Sequence, residues 1–164
     1  MFAFCALTCN RDLARTVPVN YWLLAVFTVC ESYSLSLLCA QYTAESVLIV
    51  AVVTSFSFVG LSLYALTTKL DVTVCAALIW TLLWVSIGML FLQFFIPFEA
   101  ARFAWGLLGC IFAVLFVVFD TQMIFDKCRA EGYGNEDYIY AALMLYYDFV
   151  YLFVQLLRIF GERK

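Results

Sequence analysis

The chain has 164 residues, of which 66% are hydrophobic and 13% charged, and its mean hydropathy is +1.00. Soluble domains carry about 45–50% apolar and about 25% charged residues, so this composition excludes a soluble protein and indicates an integral membrane protein in the lipid bilayer. The net charge of −3 includes no basic block, which argues against nucleic-acid binding. Seven cysteines without a CxxC pair, and no histidine, argue against a zinc site; no cofactor is expected.

The hydropathy pattern predicts a polytopic all-α bundle. A transmembrane helix needs about 20 apolar residues. Such stretches cover residues 21–42, 46–66, 74–95, 103–125 and 138–160, and we expect one transmembrane domain over residues 1–164. Residues 1–9 are apolar but too short to cross, and they have no charged leader or cleavage site. We therefore expect them to be the end of a span whose beginning is missing, and not a secretory signal.

The basic residues predict the orientation, because cytoplasmic loops are enriched in lysine and arginine. If the five spans alternate, one face carries Arg11, Arg15, Lys69, Lys127 and Arg129, and the other carries only Arg102. The loop at residues 10–20 is therefore expected to be cytoplasmic. Three further basic residues follow at the C-terminus, Arg158, Arg163 and Lys164. A crossing last span gives five against four, whereas a re-entrant one gives eight against one, so the charge count favours re-entrance.

Three acids interrupt the apolar spans: Glu31, Asp120 and Asp148. At about 1.5 Å per residue, Glu31 and Asp148 lie about 15 Å deep, and Asp120 about 8 Å from the cytoplasmic face. The last two spans are antiparallel neighbours, so Asp120 and Asp148 differ in depth by little more than one turn and could touch. No lysine or arginine lies at this depth, since Arg158 is near a helix end.

Each acid at the bilayer centre costs about 2.5–3.5 kcal/mol or more. Three states are open: protonated acids, a proton shared by a carboxyl pair, or a bound cation, for which hard oxygen ligands suit calcium. Each state couples protons and cations at one place, so we expect Asp120, Asp148 and Glu31 to form an ion pathway or pH latch. Asp120 and Asp148 are the expected ligands of a Ca²⁺ ion that is permeant or bound.

Simpler structural explanations remain open for each residue. Asp120 could be a solvated acid at a helix end, and the serines around Glu31 could satisfy its carboxylate by hydrogen bonds. Tyr147 and Tyr151 fit a packing role. The four glycines within spans fit close helix approach: Gly60, Gly88, Gly106 and Gly109.

Four segments resemble the Bax inhibitor motif-containing transmembrane proteins, and in particular their lifeguard subgroup. These segments are VVFDTQMI, EDYIYAALMLYYDFVYLFVQLLRIFG, LARTVPVNYWLLAVFTVCES and YALTTKLDVT. The resemblance covers essentially the whole chain. It rests on the aspartate-threonine-glutamine motif combined with the spaced second aspartate and the two upstream blocks.

The resemblance implies a Bax-inhibitor-like bundle of six or seven helices with its last segment central or re-entrant. It also implies calcium leak from internal stores, suppression of cell death, and a proton-sensitive latch that would be Asp120 and Asp148. A first helix and a full second helix of the family are absent, so an N-terminally shortened member is expected, and a basic partner of the acids could lie in the missing part. An endoplasmic reticulum, Golgi or other endomembrane location is expected.

Two other functional classes share features with this sequence. Tyr147 and Asp148 supply the YD pair of intramembrane aspartyl proteases, but Asp120 follows VVF where such enzymes have GxG, and a PAL motif is absent. No enzymatic activity is therefore expected. The alternative to a channel is a non-conducting protein that binds membrane proteins of cell-death pathways.

Overall fold

The structure is a computed structural model that describes residues 18–68, 72–92, 98–130 and 138–164. These residues form five helices: α1 (Val19–Cys39), α2 (Ala44–Thr67), α3 (Val72–Leu92), α4 (Phe98–Ala130) and α5 (Tyr138–Phe160). A helix thus stands at each of the five predicted spans, and the prediction for residues 1–9 lies outside the described residues. The all-α expectation is confirmed.

Three of the helices are long and apolar enough to cross a bilayer. Their spans are Ala44–Thr67, Phe103–Asp126 and Ile139–Phe160, whereas α1 and α3 contain the shorter apolar stretches Leu24–Cys39 and Ala77–Gly88. The extra length of α4 carries it to the exposed Asp126 at its C-terminal end. Helices suit the lipid bilayer because each one satisfies its own backbone hydrogen bonds.

Helix α5 occupies the centre of the bundle and packs against α4, α2 and α1. One of its faces is buried and includes Ile139, Leu143, Leu152 and Leu157. Aromatic edges connect it to two neighbours, since Phe58 meets Phe149 and Phe27 meets Tyr146 in T-shaped contacts. Helix α5 thus packs against three of the four other described helices.

The C-terminal tail shows that α5 crosses the bundle. Thr43 N donates to Glu162 O at 2.9 Å, and Lys164 N donates to Gln41 O at 3.1 Å. The tail therefore lies beside the connection between α1 and α2, opposite the end at which α5 begins. The re-entrant alternative is wrong because α5 is one continuous helix of 23 residues. Hydrogen bonds with residues 41 and 43 hold the tail at the end of the bundle that the count of basic residues disfavours.

Gln122 fixes the axial position of α4 relative to α2. Its Nε2 donates to the main-chain oxygens of Ala65 at 3.4 Å and Thr68 at 2.9 Å. The last carbonyls of a helix have no partner within that helix. The buried amide therefore supplies donors to the C-terminal end of α2, and the glutamine of the aspartate-threonine-glutamine motif has a structural role.

Two of the four span glycines permit close approach. A Cβ at Gly106 would lie 2.9 Å from Ile159 Cγ1, and one at Gly109 would lie 2.8 Å from Gln155 Nε2. Gly60 and Gly88 have no such neighbour within 4 Å among the described residues, so the packing expectation fails for these two.

Replacing Gln122 by leucine keeps the bulk of the side chain but leaves the carbonyls of Ala65 and Thr68 without their donor. We expect the free energy of unfolding in detergent to fall by about 1–3 kcal/mol. Gln41→Leu is the matched control, because the Gln41 side chain is exposed. Equal stability of the two variants would show that the amide does not cap α2.

The crossing of α5 is testable with single cysteines in a background whose seven native cysteines are replaced by serine. A membrane-impermeant maleimide should label Gln41→Cys and Lys164→Cys from one side and Asp126→Cys from the other. Labelling of Lys164→Cys and Asp126→Cys from the same side would contradict the crossing.

Candidate functional site

The structure brings Asp120 of α4 and Asp148 of α5 together inside the bundle. Both side chains are buried, with 8% and 3% of their surface exposed. Their carboxyl groups lie within hydrogen-bonding reach of each other. An ionised carboxylate only accepts hydrogen bonds, so a hydrogen bond between the two groups would require one proton. Asp120 is therefore not a solvated acid at a helix end.

Antiparallel packing of α4 and α5 produces this contact. Val117 and Val118 precede Asp120 and are buried, and Leu152 follows Asp148 by one turn on the same buried face. Such walls exclude water, so each polar atom depends on protein partners. Thr121 Oγ1 and Asp148 Oδ2 are buried with no hydrogen-bond partner among the described residues. The carboxyl pair therefore has a hydrogen-bond acceptor, Asp148 Oδ2, that no described residue uses.

The described basic side chains lie far from the carboxyl pair. Arg158 is ten residues beyond Asp148 on α5, about 15 Å along the axis, and Arg163 and Lys164 lie in the tail. Within the part of the chain whose side chains are described, the two acids are therefore stabilised by each other and not by a base.

Glu31 does not join the pair. It is half-buried on α1 and lines a cavity together with Tyr147 of α5. Tyr147 lies within electrostatic reach of both Glu31 and Asp148, so it stands between the third acid and the pair. Ser34 donates to the main-chain oxygen of Cys30 at 3.0 Å, and so its hydroxyl hydrogen is not used by Glu31.

The donor set bears on the calcium expectation. Among the described residues, no group of three or more histidine, cysteine, aspartate or glutamate side chains could hold a metal ion. Calcium takes six to eight oxygen ligands. Two carboxyl groups are too few to hold a bound calcium ion. They suit a shared proton, or a passing cation that keeps most of its hydration water.

Sequence reasoning missed Gln155, which is buried with 4% exposure and lies against Gly109. Its side chain lies near the hydroxyl of Tyr151, and its Oε1 has no hydrogen-bond partner among the described residues. The available signal was an amide inside the apolar segment LFVQLL. An uncharged amide does not stand out in a search for buried charge.

The family comparison and the most similar relatives point to the same family. The family described as "Inhibitor of apoptosis-promoting Bax1" (Bax1-I) matches residues 1–164. The chain is 28% identical to human protein lifeguard 3 over 96% of its length and 52% of the relative's. It is 31% identical to mouse protein lifeguard 4, covering 93% of this chain and 61% of the relative.

The chain therefore spans little more than half the length of these curated relatives. No solved structure matches it. The match to the family covers the buried aspartates and all five helices. The chain belongs to the Bax1-I family, close to lifeguard 3 and lifeguard 4, and is a multi-pass integral membrane protein.

Proposed function

We propose that the chain forms a pH-sensitive leak pathway for calcium and similar cations, in which Asp120 and Asp148 are the latch. The observation that carries this proposal is the close approach of two buried carboxyl groups on adjacent helices. As a family member, the chain is a non-enzymatic membrane protein. We therefore expect it to bind protons and cations and to let cations pass.

The latch follows from the charge states of the pair. With one shared proton, the hydrogen bond joins α4 to α5 and the pair carries one negative charge. Without that proton, two negative charges about 4 Å apart repel each other by about 4 kcal/mol at an effective dielectric constant of about 20. A cation relieves the same repulsion. Loss of the proton therefore favours both separation of the helices and entry of a cation.

Glu31 extends the pathway in this proposal. Its carboxylate lines a cavity that Tyr147 also borders, one residue from Asp148. A cation that leaves the pair thus meets a further acid toward the end of the bundle where the C-terminal tail lies. The family name refers to inhibition of apoptosis, and we propose that the leak serves that role in the endoplasmic reticulum, Golgi or another endomembrane that stores calcium.

Asparagine at position 148 keeps the shape and hydrogen-bonding capacity of the side chain but cannot lose a proton. We expect calcium efflux from liposomes containing Asp148→Asn at high pH to fall at least tenfold, to the level of the wild-type protein at low pH. Asp126→Asn is the matched control, since Asp126 is an exposed acid of α4. Unchanged efflux in both Asp120→Asn and Asp148→Asn would refute the latch.

The pH profile gives a separate test. Wild-type efflux should rise as the pH is raised from about 5 to about 9, a range within which perturbed carboxyl groups titrate, because the shared proton is lost. The double variant Asp120→Asn/Asp148→Asn should show a flat profile. Efflux that stays at the level of protein-free liposomes at every pH would instead favour the non-conducting, partner-binding role.

A further inference from the structure

The tail that follows α5 is tied to the connection between α1 and α2. Residues 161–164 run antiparallel to residues 41–43, and we call these two segments together the tail clasp. Tyr42 and Arg163 face each other in an isolated β-bridge. The main-chain hydrogen bonds from residue 43 to residue 162 and from residue 164 to residue 41 lie on either side of that bridge. A slip of the tail by one residue would break both bonds, so the clasp has a defined register.

The clasp also has a buried part, which is the ring of Tyr42. This ring belongs to a core cluster with Val50 of α2 and Leu157 of α5. The guanidinium carbon of Arg163 lies 5.8 Å from the centre of the ring, within the range of a cation–π contact. Apolar and polar contacts therefore join the last turn of α5 to the beginning of α2.

The chain between α5 and the clasp has no slack. Gly161 directly follows the helix, and its N–H donates to Leu157 O at 2.8 Å. A Cβ at Gly161 would lie 2.6 Å from Tyr42 Cδ1. The next residue, Glu162, donates its N–H to Ser46 Oγ at 3.3 Å. The end of α5 therefore cannot slide along the bundle without breaking the clasp.

The same helix carries Asp148, twelve residues before its last residue and about 18 Å from it along the axis. Because a helix passes an axial displacement along its length, a slide at the clasp would be felt at Asp148. Helix α5 is thus held at two levels, by the clasp at its end and by the approach of Asp148 to Asp120 in its middle.

We propose that the tail clasp positions Asp148 against Asp120 and thereby sets the pH at which the latch opens, an inference that rests on the proposed leak function. With the clasp closed, α5 can leave α4 only by tilting. Without the clasp, α5 can also slide and rotate, so parted arrangements are more numerous and the joined state is less populated. The joined state holds the shared proton. By linkage, loss of the clasp therefore lowers the pH at which that proton leaves.

The ionisable neighbours of the carboxyl pair lie outside the clasp. Tyr147 of α5 and Glu31 of α1 are within electrostatic reach of each other or of the pair. On α2 the exposed Tyr64 is near the helix end that Gln122 caps, and Glu45 stands at the opposite end. The described part of α3 has no charged residue. A clasp variant that leaves these groups in place and changes no charge therefore acts on the latch through the position of α5.

Two substitutions at Thr43 isolate one hydrogen bond of the clasp. The backbone angles of Thr43, φ −69° and ψ 145°, suit proline. Thr43→Pro removes the N–H that donates to Glu162 O, whereas Thr43→Ala keeps it and loses only the hydroxyl. The midpoint of the pH–efflux profile should fall by about 0.5–1 pH unit in Thr43→Pro, the shift expected for one lost hydrogen bond. Equal midpoints in the two variants would overturn the proposal.

A second measurement does not depend on calcium flux. In the cysteine-free background, Asp120→Cys/Asp148→Cys should form a disulfide readily upon mild oxidation. Adding Gly161→Ala, which leaves no room beside the Tyr42 ring, should slow this reaction at least tenfold. Gly60→Ala is the matched control, since no described residue lies within 4 Å of its added Cβ. Circular dichroism should show equal helix content in both.

The two measurements separate the clasp from the leak. Equal rates of disulfide formation in the two glycine variants would refute the positioning role, even if the wild-type protein conducts calcium. A tenfold difference in these rates, combined with wild-type efflux that is flat at every pH, would support the positioning role and refute the leak.

Discussion

Polar side chains inside this bundle are withdrawn from water, so their contacts with other helices stabilise them and position those helices. Asp120 and Asp148 lie within hydrogen-bonding reach of each other, and Gln122 donates to the end of α2. Both contacts involve α4, and they fix its axial position relative to α2 and α5. Since apolar contacts between lipid-facing helices discriminate weakly among registers, these few polar contacts fix the arrangement of the central helices.

The sequence predicted the helices and the carboxyl contact because both follow from local quantities. Hydropathy locates apolar stretches, and the rise per residue placed Asp120 and Asp148 within about one turn of each other. The path of α5 did not follow from such quantities. Its crossing is fixed by backbone hydrogen bonds from the tail to Gln41 and Thr43, whereas the count of basic residues favoured re-entrance. Charge bias is a statistical preference, and these specific contacts override it.

The neighbours of a helix are equally hidden in a single sequence. Glu31 has about the depth of Asp148, yet it lies on α1 and borders a cavity apart from the pair. Gly106 and Gly109 face α5 closely, whereas no described residue lies within 4 Å of a Cβ added at Gly60 or Gly88. Residue type and position along a helix are explicit in the sequence. The direction in which each side chain points depends on the rotation of its helix, which a uniformly apolar sequence does not encode.

Helix α5 carries both Asp148 and, seven residues later, Gln155. The separation is about 10 Å along one helix. Gln155 packs against Gly109 of α4, where an added Cβ would lie 2.8 Å from Gln155 Nε2. Sliding of α5 along α4, which would part Asp148 from Asp120, therefore also disturbs this close contact. The contact is expected to favour the joined state of the carboxyl pair.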